Sequence, residues 1–202
     1  MLISHFFSTR LSEALKESRV IDGSDMLQYE YCLEYLFDII LYNSSLILIG
    51  GMLHDLPGAI LYILCVSLMK SSAGGYHAAS RVKCSVLSYS LFLTAILTYR
   101  NPAICAFIDR TGTFSLRDLI YAAEVFIIVL LSPVENPNKR LSPRERVKLK
   151  SCSIILVSIV SVIYIFFRLT SYKVYCNMII VCFCINAFSQ IVGSIKYKRQ
   201  SV

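Results

Sequence analysis

Val174-Tyr175-Cys176-Asn177-Met178-Ile179-Ile180-Val181-Cys182-Phe183 opens a run that continues to Ile195 without one charged side chain. It reaches the roughly 20 mostly apolar residues that a helix needs to cross a bilayer. Five further apolar blocks precede it, at about 36–53, 56–69, 85–99, 119–134 and 152–167. Hydrophobic residues make up 56% of the 202-residue chain and charged residues 16%, with a mean hydropathy of +0.63. Soluble domains average roughly 45–50% and about 25%. The expected fold is all-α, a polytopic integral membrane helical bundle forming a single membrane domain over 1–202. About six apolar segments within 36–195 give it four to six full spans. The second, third and fourth blocks are short. They tilt, start within polar flanks, or include a re-entrant segment buried in protein. The join His54-Asp55-Leu56-Pro57-Gly58 is so brief that blocks one and two form a tight hairpin. Asp55 is placed to cap the second helix, with Pro57 in its first turn.

The formal net charge is +7, but the basic residues gather between the apolar blocks, as in proteins facing an anionic leaflet. No arginine-aromatic platform or zinc-finger spacing supports binding to nucleic acid. With six spans and both ends inside, the inner segments hold 15 basic residues and the outer segments five. That bias puts the segment 70–85 on the cytoplasmic side. A four-span variant with two re-entrant segments keeps it there too. Residues 1–30 read as a cytosolic or interfacial segment without a signal-peptide pattern. Within it Leu2, Phe6, Phe7, Leu11 and Leu15 recur at helical spacing, with Arg10, Lys16 and Arg19 on other faces. This is an amphipathic helix, lying on the bilayer or docked on protein.

Eight cysteines occur, and seven of them (Cys32, Cys65, Cys105, Cys152, Cys176, Cys182 and Cys184) lie in or beside apolar runs. There they read as small buried hydrophobes rather than as a disulfide framework. Cys84 differs, because Arg81 and Lys83 stand beside it and His77 lies upstream. On a continuous helix, seven residues separate two side chains by about 10.5 Å along the axis. A sulfur–imidazole contact needs roughly 3–4 Å. A working pair therefore requires a break between 77 and 84, or a contact across a dimer interface. Gly74-Gly75 suits the end of one helix, and Ser80 suits the N-cap of the next. Cys84 then ends a first turn, where the helix dipole and nearby cations favour a negative sulfur. From spacing alone the pair could also be incidental. His77 and Cys84 are too few ligands for a zinc site, so neither metal nor cofactor is expected.

At these residues the chain resembles the accessory gene regulator B (AgrB) family, membrane endopeptidases of Gram-positive bacteria that process a pheromone precursor for quorum sensing. The resemblance is carried by Gly74-Gly75-Tyr76-His77-Ala78 with a basic residue ahead of it and Cys84 seven residues after the histidine. A second matching stretch is Ser132-Pro133-Val134-Glu135-Asn136-Pro137-Asn138-Lys139-Arg140. The resemblance implies a thiol protease of the bacterial cell membrane, with Cys84 as nucleophile and His77 as its base. Gly74 and Gly75 shape the loop. Lys70 stands where the family often has arginine, and holds substrate as a point charge rather than a planar fork. The implied partner is an AgrD-like precursor peptide, cut by acyl transfer and closed to a thiolactone or lactone. Membrane lipid surrounds the chain, and the family suggests a homodimer.

Other polar residues carry two readings. Asp38 and Glu124, inside apolar blocks, bind a basic substrate segment, orient His77, or make helix–helix hydrogen bonds. Glu135 and Asn136 orient His77 as a third triad member would, or belong to a rigid turn. The basic run Lys139 to Lys150 anchors topology or attracts an acidic precursor tail. Asn186, Ser189 and Gln190 read as interhelical contacts. A peptide transporter or a membrane scaffold is the alternative function, since short glycine-interrupted blocks suit a transporter too. The chain carries no internal repeat in its favour.

Overall fold

The computed structural model describes residues 2–76, 78, 80–108, 116–135 and 141–198, and among them all regular structure is helical. The chain forms two compact units, Met1–Ile49 and Gly50–Val202.

In the first unit, α1 (Leu2–Glu17) meets α2 (Met26–Met52) through polar and aromatic contacts. Thr9 donates to Glu30 Oε1 at 2.6 Å, His5 Nδ1 lies 3.7 Å from the same oxygen, and Phe7 packs on Phe37. Ser4, Ser8 and Ser12 are buried while Phe6, Phe7 and Leu11 are exposed. An apolar face left open in this way fits a helix lying in the membrane interface. Helix α2 exposes Leu36, Ile39, Ile40, Leu41, Ile47 and Leu48. Its 27 residues extend about 40 Å, more than a hydrocarbon core of about 30 Å.

The second unit holds α3 (Leu56–Tyr62), a π-helical stretch Ile63–Leu68, α4 (Met69–Ala73), α5 (Arg81–Thr98), α6 (Pro102–Ile108), α7 (Leu116–Leu131), α8 (Pro143–Leu169) and α9 (Val174–Lys198). Asp55 caps α3 as expected: its carboxylate accepts the Gly58 N–H, with proline in the first turn. Helix α9 is central, packing on α3, the π-helical stretch, α4, α5, α7 and α8. Phe183, Cys182, Ile179 and Met178 of α9 are fully buried, as are Ala59, Cys65, Met69, Phe92 and Val160 around it. Tyr121 and Tyr164 stack at 4.1 Å between α7 and α8. Leu97, Leu119, Phe126, Val162 and Phe188 point outward, as expected of a surface that meets lipid.

Among the described residues, four helical stretches are long and apolar enough to span a bilayer: Met26–Met52, Leu56–Ala73, Pro143–Leu169 and Val174–Tyr197. Helices α5 and α7 have 18 and 16 residues, about 27 and 24 Å. Both nonetheless run between the two polar ends of this unit. At one end Asp55 of the α3 cap accepts from the Tyr99 hydroxyl at 2.6 Å and from Arg100 at 2.9 Å. Asp118 at the start of α7 accepts there from the Tyr164 hydroxyl at 2.7 Å and pairs with Arg168 at the end of α8. At the other end α4, the start of α5, the end of α7, the start of α8 and the last turns of α9 come together. The short blocks thus cross the unit in full. Helix α6, of 7 residues, is an extra helix of about two turns that the apolar blocks did not signal.

All eight cysteines are free. Cys65, Cys176 and Cys182 are buried and Cys105 is half-buried, but Cys32, Cys152 and Cys184 are exposed on apolar helices. The expectation that all seven are buried is corrected for these three. A small apolar side chain is as well suited to a lipid-facing position as to a protein core.

Candidate active site

Of the residues singled out from sequence, Lys70, Gly74, Gly75, Cys84 and Glu135 lie at the second of these ends. Helix α4 stops because Gly74 takes φ +71° and ψ −160°, a conformation essentially confined to glycine. Its N–H closes on the Lys70 carbonyl at 3.2 Å, and Lys70 itself is half-buried in the last turn of α4. Gly75 is buried and has φ +141°. Gly74 pairs with Val134 in an isolated parallel bridge, and the Val134 N–H donates to Ala73 O at 2.9 Å. A Cβ on Gly74 would lie 2.3 Å from Val134 O, so no side chain fits there.

Val134 sits in the second matching stretch, which is itself fixed on both flanks. The Ser132 hydroxyl donates to Ser153 Oγ on α8 at 2.8 Å. Glu135 forms an ion pair with Arg146 in the first turns of α8. That helix starts with a capping box, Ser142 Oγ accepting the Glu145 N–H while Glu145 accepts the Ser142 N–H. The structure thus brings Glu135 to Arg146. His77 and Asn136 lie outside the described residues.

Ser80 is the N-cap of α5, as the sequence indicated. Its backbone is extended and its Oγ accepts the Lys83 N–H at 3.3 Å. Cys84 follows at the end of the first turn, half-buried, with its N–H on Ser80 O at 3.0 Å. This thiol stands where unpaired N–H groups make a helix N-terminus positive. Lys83 is beside it, and the half-buried thiol keeps part of its surface open.

The sequence profile described as Accessory gene regulator B matches residues 8–190, from α1 to the last turns of α9. The chain belongs to that family. No curated protein and no solved structure matches it. Membership in AgrB supports a part in quorum-sensing pheromone processing at a membrane, with a pheromone precursor as the general partner.

Two residues of this AgrB chain that hold the glycine loop escaped the sequence reading. Ser189 was read as an interhelical contact, yet it receives the Tyr76 N–H, at 2.9 Å on its carbonyl oxygen and 3.0 Å on Oγ. Gly193 lies against the same backbone, where a Cβ would stand 2.9 Å from both Gly75 C and Tyr76 N. The available signal was that Gly193 is the one glycine in the last apolar run, since a glycine inside a span marks a close backbone approach. Among the described residues, no group of three or more His, Cys, Asp or Glu side chains is gathered as metal ligands.

Proposed function

We propose that the chain is a membrane cysteine endopeptidase that removes the C-terminal tail of an AgrD-like pheromone precursor and permits its cyclisation. Cys84 is the nucleophile and His77 its base. The observation that carries this reading is the placement of Cys84. It is a half-buried thiol on the first turn of a Ser80-capped helix, just beyond a glycine pair that leaves no room for side chains. A core cysteine needs none of these features, whereas a thiolate nucleophile uses the helix N-terminus and an adjacent imidazole.

In the first step the Cys84 sulfur bonds to the carbonyl carbon at the cut site and the peptide C–N bond breaks. The thiol proton passes to His77 and then to the departing amine, leaving a thioester on Cys84. In the second step an internal cysteine of the precursor attacks that thioester. A ring thioester forms, and Cys84 recovers its proton. An internal serine would give a lactone instead. One thioester replaces another in the thiolactone case, so the exchange is close to thermoneutral. Exclusion of water at the bilayer edge protects the acyl-enzyme.

Gly74 and Gly75 shape the loop and Lys70 holds the substrate through its charge. The basic residues Lys70, Lys83, Arg146 and Lys196 at this end support a cytoplasmic site in the bacterial cell membrane. A homodimer follows from the family reading. The deciding experiment puts the purified protein in liposomes with a synthetic precursor. Tail release together with a peptide adduct mass on residue 84 is expected. Transport of intact peptide without such an adduct would falsify the reading.

A further inference from the structure

The glycine loop is held on two sides. Val134 pairs with it on one side, and α9 closes the other through Ser189, Gly193 and Lys196, which share one helix face at i, i+4 and i+7. Ser189 offers two acceptors, its carbonyl and Oγ, to the single N–H of Tyr76. A Cβ on Gly75 would stand 2.6 Å from Ser189 Oγ. One turn on, a Cβ on Gly193 would stand 2.9 Å from Gly75 C and Tyr76 N, and 3.2 Å from Val134 Cγ1. Lys196 Nζ completes the face, 4.7 Å from the centre of the Tyr76 ring. The slot between Val134 and α9 is therefore one backbone thick at residues 75–76. The next residue in the chain is His77, joined to Tyr76 by a planar peptide unit that leaves few soft torsions between them.

We propose that Ser189 and Gly193 are positioning residues, which set how His77 is presented to Cys84 by clamping the backbone of Gly75 and Tyr76. The proposal rests on the cysteine-endopeptidase reading. Neither residue touches the reacting atoms in it. Gly193 contributes the absence of a side chain, and Ser189 contributes the acceptors that hold the Tyr76 N–H.

The test uses the full chain in lipid nanodiscs and iodoacetamide as the probe. Peptide mapping by mass follows alkylation at residue 84 alone, from about pH 5 to pH 9. In the unaltered protein the pH–rate profile at Cys84 depends on His77, so His77→Ala slows alkylation near pH 7 about fivefold or more. Gly193→Ala reproduces the His77→Ala profile. Ser189→Ala removes one acceptor and adds no bulk, and slows the reaction about two- to tenfold, with Ser189→Thr restoring it. Gly51→Ala, at a position open to 4 Å around its Cβ, leaves the profile unchanged. If Gly193→Ala does not reach the folded state, the Ser189→Ala and Ser189→Thr pair decides. An unchanged profile in His77→Ala overturns the cysteine–histidine reading itself. A changed profile in His77→Ala with unaltered profiles in Gly193→Ala and Ser189→Ala overturns the positioning role alone.

Discussion

The backbone N–H of Val134 donates to the carbonyl of Ala73 at 2.9 Å, tying the segment after α7 to the end of α4. This bond joins the two stretches that carry the family resemblance, and it fixes the position at which Gly74 must turn. Replacing Gly74 with alanine forces a side chain into a glycine-only conformation, at a cost of about 1–3 kcal/mol, and against Val134 O. We expect Gly74→Ala to lower precursor cleavage about 100-fold, the scale of a misplacement of about 1 Å in a catalytic group. Cleavage at the rate of the unaltered protein would show that the bridge does not shape the site.

Cys84→Ala and Cys84→Ser are both expected to abolish cleavage while protein levels in the membrane stay normal. His77→Ala is expected to leave at most a trace. Immunoblots for level beside a release assay for the tail check this, and substantial cleavage by either Cys84 variant removes the mechanism.

Glu135 is paired with Arg146, which is itself mostly exposed. Ion pairs of that kind contribute about 0.2–1 kcal/mol. Glu135→Gln is therefore expected to lower cleavage by no more than about fivefold, and the double exchange Glu135→Arg with Arg146→Glu to recover it. A loss near 10⁴-fold, the cost of removing a group that orients a catalytic histidine, would make Glu135 a third member of the site instead.

Asp55, Tyr99 and Arg100 form a cluster at the end of the second unit away from the cysteine. Burial, and then the Asp55 carboxylate that accepts its hydroxyl, push the Tyr99 phenol above its ordinary range. The folded state thus favours the protonated phenol. Stability linked to it is complete below the unfolded value near 10 and declines as pH rises above that value. Tyr99→Phe should remove this part of the alkaline decline in a pH series of thermal melts. Asp55→Ala should destabilise the protein by about 1–3 kcal/mol, since the α3 cap, the buried Tyr99 hydroxyl and the exposed Arg100 lose their acceptor. Cleavage per folded molecule should be unchanged in both. A loss of cleavage without a loss of stability would place this cluster in the chemistry.

Glu124 is buried on α7, and its Oε2 has no hydrogen-bond partner among the described residues. An ionisable group in that setting costs stability unless it is used. Glu124→Gln keeps the shape and removes the charge, so we expect Tm to rise or stay level. A fall of several degrees would mean that the carboxyl holds the bundle together.

Much of the architecture was readable from the chain. Long uncharged runs can only be satisfied as helices in lipid, so the all-α bundle followed from block length and composition. Local chemistry placed the Asp55 and Ser80 caps and the stop at Gly74, because a cap depends on residues within one turn of it. What the sequence withheld was non-local. Ser189 and Gly193 act on Tyr76 and Gly75 across a large sequence separation, and nothing near either pair encodes the meeting. The burial of individual cysteines was hidden for a related reason. A membrane helix is apolar on both its protein and its lipid faces, so periodicity does not distinguish Cys182 from Cys184. The match to AgrB covers 8–190 and names the family, while the contacts at Val134, Ser189 and Gly193 come from the fold.

The hydrogen bond from Tyr76 to Ser189 links residues 113 positions apart. During synthesis the cysteine-bearing segment therefore leaves the ribosome long before the turn that seats it. A nascent chain halted ahead of α9 carries its thiol but lacks the clamp, and would reach the membrane unarmed. If the proposed endopeptidase reading holds, its loop is thus seated only once the last helix is complete.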